Sequence, residues 1–315
     1  MNADKTNLPW VEKYRPEKFD AIIMNPLNKK IITEILNKNY FPNLLFYGPP
    51  GTGKTTTIIN LIKKFQEQNN QLNKGLVIHL NASDERGIDI IRNQINQFVN
   101  SKSLFSNGTK FVILDEVDYM TKSAQYALRY LFQSFNNNVR FCLICNYISR
   151  IDESLQTELM RIRFNKLPQN DIIDFLNTIN VKENIGLTLN NLLSIQNLYK
   201  SDVRSMVNYM QSNQNIINNK YILDVSIWEK LTKLLLMPYV KSEKVFIFLE
   251  EIERNYNIEI KTILKFYFNH LIRNSPIHIS SKLFNFIEFI MHDLSINEKY
   301  VKKIISLRLP GLLHI

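Results

Sequence analysis

A chain of 315 residues, 45% hydrophobic and 22% charged, has the composition of a globular protein and the length of two or three domains. Its formal net charge of +10 suits a polyanionic partner such as nucleic acid, although heavy use of Lys, Asn and Ile throughout would raise the charge without any partner. No apolar run approaches a membrane span and the N-terminal MNADKTNLPW is polar rather than signal-like, so a soluble intracellular protein is expected.

In chain order, PWVEKYRPEKFD within the first twenty residues reads as an extended, turn-rich arm bounded by Pro9 and Pro16. Its Trp10, Tyr14 and Arg15 are candidates for packing on a core. Residues 27–38 read as a helix, NLLFY (43–47) as a short buried strand and TTTIINLIKKF (55–65) as a second helix. Between strand and helix, Gly48, Gly53, Lys54 and Thr55 fit the phosphate-loop pattern G-x-x-x-x-G-K-[ST]. A loop that wraps phosphates must turn its N–H groups inward, and glycine takes the required angles without steric cost. Three of the chain's eight glycines lie between 48 and 53. In this pattern Lys54 reaches the β- and γ-phosphates, Thr55 ligates Mg²⁺, and the helix N-terminus faces the anion.

LVIHL (76–80) reads as a second strand. A helix starts near Asn81–Glu85, with Ser83 as its cap, and continues to about residue 99. Arg86 and Arg92 fall on it six residues apart, which is not one helical face. KFVILDEVD (110–118) is a third strand that ends in carboxylates. Four apolar residues before Asp115-Glu116, about sixty residues after a phosphate loop, match an acidic pair in which Asp115 holds Mg²⁺ through water and Glu116 polarises the attacking water. Residues 123–135 form an amphipathic helix, and VRFCLICN (139–146) a fourth strand ending in Asn146. Asn146 is a candidate γ-phosphate sensor, or a turn former. The C-x-x-C of Cys142 and Cys145 lies on that strand. Positions three apart point to opposite faces, so both read as core residues rather than a metal or redox pair.

Strand–helix alternation over 43–146 predicts a parallel sheet with helices on both faces and ligands at the carboxyl ends of the strands. From 168 onward the pattern is almost wholly helical: three short helices over about 168–212, a polar Asn-rich linker over 211–221, and four or five helices over 226–315.

WVEKYRP (10–16), GPPGTGKT (48–55), NASDERGID (81–89), LDEVD (114–118), ALRY (127–130) and CNYIS (145–149) occur in this order, and with them the chain resembles the small subunits of the clamp loader replication factor C, which are AAA+ ATPases. The resemblance implies an α/β AAA+ domain (1–165), a helical lid (166–221) and an all-α collar (222–315) that joins five subunits in a ring. It implies ATP and Mg²⁺ as cofactors. Implied partners are the other ring subunits, a PCNA-type sliding clamp and primer–template DNA, at the site of replication. It implies nucleotide contacts from Tyr14, Arg15 and Gly48, Pro49, Pro50, Gly51, Thr52, Gly53, Lys54, Thr55 and Thr56. Thr55 and Asp115 would serve the metal, and Lys54, Glu116, Asn146 and Arg204 catalysis. Arg204 comes from SDVR, which resembles the family's G-D-x-R with Ser201 in place of Gly. The resemblance also places Arg86, Arg92 and Arg150 on a groove that tracks DNA phosphates.

One departure matters more. Where the family has Ser-Arg-Cys after IxxxLQ, this chain has Thr157, Glu158 and Leu159. The arginine offered to a neighbour's ATP is thus a glutamate, with Arg161 and Arg163 as possible substitutes. Two alternatives stay open: a non-hydrolysing structural ring subunit, and another AAA+ DNA-dependent ATPase such as a branch-migration motor or helicase loader.

Overall fold

The computed structural model describes residues 8–83, 88–101, 108–134, 139–214, 225–237, 242–256, 258–274, 280–292 and 297–313, with 88–92 and 133–134 by backbone alone. The chain divides into two compact units, residues 1–179 with 199–212 and residues 180–198 with 213–315.

In the first unit, Pro9 is followed by one helical turn, α1 (Trp10–Lys13), rather than by the extended arm the prolines suggest. Proline fits just before or at a helix start, where its missing N–H is not needed. Helix α2 (Pro26–Asn37) is capped by the Asn25 side chain, which accepts the Leu27 N–H. Strand β1 (Leu44–Tyr47) leads into α3 (Lys54–Gln68). Then come β2 (Val77–Asn81), α4 (Ile88–Asn100), β3 (Lys110–Asp115), α5 (Lys122–Ser134) and β4 (Val139–Cys145). The short α6 (Glu153–Gln156) and β5 (Met160–Arg163) complete the sheet; most of α7 (Gln169–Lys182) and, after the second unit's α8 (Leu189–Tyr199), α9 (Val203–Asn213) also belong to this unit. Helix α9 takes up residues 211–213, which the polar composition had suggested for a linker.

The five strands pair in the order β2-β3-β4-β1-β5, all parallel. Strand β5 was not expected. It is four residues long, and only Ile162 is buried, its other apolar residue, Met160, being 40% exposed. Its place in the sheet comes from pairing with β1, Leu45 opposite Arg161 and Phe46 opposite Ile162. Strand β3 stops at Asp115 rather than running to 118, because Glu116 turns the chain with φ 57° and ψ 35°. The expected helix start at Asn81–Glu85 lies partly outside the described residues. Ser83 itself gives its N–H and hydroxyl to Asn81 Oδ1.

Alternation along the strands builds a core on each face of the sheet. Leu44, Phe46, Ile113, Cys142 and Ile144 pack with α2 and α3, while Leu45, Val112, Leu114, Leu143 and Cys145 pack with α5. The two cysteines are free and buried in opposite cores, as their spacing predicts. Helix α3 is anchored by Ile58, Leu61, Ile62 and Phe65, each at most 6% exposed. Burial at that level stabilises by about 1.5–3 kcal/mol per side chain, so the helix that begins at Lys54 is firmly seated.

The second unit is helical among the described residues. Besides α8 it holds α10 (Val225–Leu235), α11 (Ser242–Tyr256), α12 (Ile260–Asn274), α13 (Ser281–His292) and α14 (Glu298–Leu313), and these last five are the upper end of the count expected for 226–315. Its core includes Leu231, Leu249, Leu264, Leu271, Leu283 and Ile305. Tyr267 is fully buried with its hydroxyl 3.1 Å from Thr232 Oγ1, and burial pushes its phenol up to about 12. Lys302 of α14, nearly buried, pairs with Glu253 and with Glu250 at 3.7 Å, which compensates its charge.

Candidate nucleotide-binding site

Because β1, β3 and β4 are parallel neighbours, the loop after β1, the acidic pair after β3 and Asn146 after β4 all emerge at one sheet edge. Two close approaches explain the glycines there. A Cβ on Gly48, at φ +143°, would lie 2.1 Å from the Phe164 carbonyl oxygen, just beyond β5. A Cβ on Gly51, at φ +69°, would lie 1.8 Å from Asp202 Oδ1, at the start of α9. The loop is thus pressed between the end of β5 and the helix that carries Arg204. The Val203 N–H also donates to the Gly51 carbonyl at 3.3 Å.

Lys54 is buried. Its Nζ donates to the carbonyls of Gly48 and Pro49, both at 2.8 Å, and to Asn146 Oδ1 at 2.9 Å. All three ammonium protons have acceptors, so the β1 loop and the β4 end hold the cation where an anion would meet it. Burial draws the Lys54 ammonium below its ordinary range, against the opposing attraction of Asp115. Thr55 Oγ1 donates to Asp115 Oδ2 at 2.7 Å, and the Glu116 N–H donates to Asp115 Oδ1 at 2.9 Å. Burial pushes the Asp115 carboxyl up. The pull of His79 (Nε2 at 3.9 Å), of the Thr55 hydroxyl and of the Glu116 N–H outweighs it, and the carboxyl lies below the usual carboxylate range.

Glu116 holds a left-handed backbone, an uncommon state for a non-glycine residue that costs on the order of 1 kcal/mol or more. It aims the residue after Asp115 out of the strand path and into the cleft.

That cleft is lined by Trp10, Tyr14, Arg15, residues 50–56, Asp115, Glu116, Asn146, Val203, Arg204 and Val207, all from the first unit. The structure therefore brings together Lys54, Thr55, Thr56, Asp115, Glu116, Asn146 and Arg204 with Tyr14 and Arg15. Gly48 and Pro49 are not among the lining residues, and their carbonyls hold Lys54. Arg15 Nε donates to Thr56 Oγ1 at 3.1 Å, and the Trp10 N–H to Gln211 Oε1 at 2.9 Å, so the N-terminal turn is tied to both α3 and α9. Arg150 lies outside the cleft on an exposed helical turn, Ile148–Arg150. Arg86 falls outside the described residues, and Arg92 is on α4 with its side chain outside them.

Three contributors escaped the sequence reading. Asp118 is 5% exposed, and its Oδ2 accepts the N–H groups of Asn146 (3.3 Å) and Tyr147 (3.2 Å), so it sets the direction of the β4 end. Gln125 is 1% exposed, and donates to the Arg150 carbonyl and accepts the Asp152 N–H. Ser201 Oγ accepts the Leu167 N–H at 3.1 Å, so the departure from glycine in SDVR adds a tie beside the cleft. An acidic residue three past Asp115, just beyond an apolar strand, was the available signal for the first. Glu158 lies with its Oε1 3.6 Å from Arg129 Nε, and Arg161 Nη1 donates to Gln156 Oε1 at 3.3 Å.

A parallel sheet with a phosphate loop after β1, an acidic pair after β3, a polar β4 end and an arginine from a later helix defines an AAA-type nucleotide-binding domain. Residues 44–167 match the family model described as ATPase family associated with various cellular activities (AAA). Replication factor C subunit 3 of Saccharomyces cerevisiae is 40% identical over 68% of this chain and 62% of its own length. Replication factor C subunit 5 of Homo sapiens is 41% identical over 65% of this chain and 60% of its own. Over the matched stretch the chain is similar to replication factor C small subunits, and its residues 44–167 are similar to the AAA ATPase family. The matched stretch spans less than two thirds of those relatives. Among solved structures, the RuvB Holliday junction branch migration motor of Thermotoga maritima has a TM-score of 0.53 at 12% identity, covering 85% of this chain and 94% of that one. That likeness is one of fold alone. No described helix is long and apolar enough to cross a membrane.

Proposed function

We propose that this chain is an ATP-binding and ATP-hydrolysing small subunit of a clamp loader, which loads a PCNA-type sliding clamp onto primer–template DNA within a hetero-oligomeric ring. The observation that carries the reading is the meeting of Lys54, the Thr55–Asp115 pair, Glu116, Asn146 and Arg204 in one cleft. The replication factor C relatives support the clamp-loading part, and the positive-φ glycines Gly48, Gly51 and Gly53, with Lys54 held on the Gly48 and Pro49 carbonyls, support phosphate binding. We also propose the division into an AAA+ domain (1–165), a lid (166–221) and a collar (222–315).

Lys54 and Arg204 bring positive charge to the β- and γ-phosphates. Glu116 accepts a proton from the water that attacks the γ-phosphorus as the bond to the ADP oxygen breaks, giving ADP and phosphate. Asn146 orients that water or the γ-phosphate oxygens. Thr55 and Asp115 suit Mg²⁺, since a hydroxyl and an ionised carboxylate 2.7 Å apart are hard oxygen donors, and Mg²⁺ takes few protein ligands alongside phosphate and water. When bound, the ion neutralises charge on the phosphate oxygens. Arg150, with Arg86 and Arg92, is proposed to meet DNA phosphates without regard to sequence.

Glu158 divides this reading further. A carboxylate at the place of the family's arginine repels a neighbour's triphosphate, and such an arginine contributes on the order of 10³-fold or more in rate. We therefore infer that this subunit hydrolyses ATP when a different subunit supplies the arginine. The test is steady-state ATP turnover by the isolated chain and by the mixed ring, with and without primed DNA and clamp. Turnover near zero alone and stimulated in the mixed ring is expected. Brisk turnover by the pure chain would refute the Glu158 inference, and no turnover in any ring would refute hydrolysis.

A further inference from the structure

We propose that Tyr119, Tyr147 and Arg150 form a stacking clamp for the bases of unpaired DNA. The proposal rests on the reading that the chain binds DNA and adds a contact to bases beyond the phosphate contacts already assigned to Arg150.

Tyr119 and Tyr147 are 59% and 58% exposed. The Arg150 guanidinium carbon lies over both rings, 5.1 Å from the Tyr147 centroid and 5.9 Å from that of Tyr119. A phenol ring has two faces, and here the guanidinium takes one of each. Among the described residues no carboxylate lies within ion-pair distance of Arg150.

The backbone under the clamp is held in place. Tyr119 closes a helical turn by donating its N–H to the Glu116 carbonyl at 3.0 Å. The Tyr147 N–H is held by Asp118, the Arg150 N–H by the Tyr147 carbonyl at 3.1 Å, and the Arg150 carbonyl by Gln125. Both supporting side chains are almost fully buried. Two aromatic faces and a cation are therefore presented with little left to order on binding.

That chemistry selects the occupant. Every base has a flat π face that stacks on an aromatic ring, and its phosphate meets the cation. In a duplex both faces of each internal base are already covered, so the rings reach only bases that have lost a neighbour. An acidic peptide would use the cation and leave the rings without a partner. The chain's net charge of +10 favours the polyanion.

The test uses the full chain with a labelled oligothymidylate and a blunt duplex of equal length, by fluorescence anisotropy over a range of salt. Tyr119→Ala and Tyr147→Ala should each weaken single-strand binding about five-fold or more. They should leave duplex affinity and the salt slope unchanged, because no phosphate contact is lost. Tyr119→Phe and Tyr147→Phe should keep full affinity. Arg150→Ala should lower the single-strand slope by roughly 0.7. An iododeoxyuridine oligomer should photo-crosslink to Tyr119 or Tyr147 in peptide mass spectra. Unaltered nucleotide affinity in the cleft verifies that the alanine variants are folded. Equal losses on single strand and duplex, phenylalanine variants as weak as alanine, or intact single-strand binding in both alanine variants would overturn the clamp. If the unaltered chain binds neither DNA at low salt, the DNA-binding reading falls with it, whereas duplex binding without any tyrosine effect removes the clamp alone.

Discussion

Gly51→Ala should uncouple the phosphate loop from helix α9, and its cost follows from the geometry. At φ +69° a Cβ costs about 1–2 kcal/mol. The new methyl would also stand 1.8 Å from Asp202 Oδ1 and 2.6 Å from its Cγ, so the carboxylate must leave. Asp202 caps α9, its Oδ1 accepting the Ser205 N–H at 3.1 Å and its Oδ2 the Ser205 hydroxyl at 2.8 Å. Losing such a cap costs about 0.5–2 kcal/mol. The sum is about 1.5–4 kcal/mol, which at about 2–4 °C per kcal/mol in a unit of this size lowers Tm by about 3–16 °C. Thermal melts with and without ATP, together with titration of a fluorescent ATP analogue, measure the effect. Asp202→Ala removes the clashing atoms and leaves its Cα 3.0 Å away, so the double variant should lose less than the two single losses added. An unchanged Tm and affinity in Gly51→Ala, or strict additivity in the double variant, would refute the reasoning.

Lys54→Ala should abolish measurable nucleotide affinity, because it removes the cation held by Gly48, Pro49 and Asn146; equilibrium binding of a fluorescent ATP analogue checks this. Glu116→Gln should keep that affinity and trap unhydrolysed ATP, seen as a high ATP-to-ADP ratio on the isolated complex, because it removes the proton acceptor and leaves Asp115 in place. Asp118→Ala strips the charged acceptor from the N–H groups of Asn146 and Tyr147, a loss of about 1.5–3 kcal/mol; its Tm should fall and its turnover drop more than its ATP affinity. If Arg161 has taken over the arginine's task, Arg161→Ala should leave the subunit's own ATP affinity intact and silence the adjacent site of a mixed ring, and full turnover at that site excludes Arg161.

The phosphate loop, the acidic pair and Asn146 were legible in the sequence because each is short, local and tied to an apolar strand whose end is marked by the first polar residue. The cysteines were legible for a related reason: spacing on a strand fixes their faces before any packing is known. Strand β5 was not, since MRIR buries one side chain and owes its place to a partner strand more than a hundred residues earlier. Asp118 under the β4 end and the seating of Gly51 on Asp202 were hidden for the same cause. Each depends on distances between segments far apart in the chain, which only the closed sheet and its flanking helices set. Sequence alone determined which chemical groups are available. The tertiary structure decided which of them share one cleft, and it placed Arg150 outside that cleft, between two exposed rings.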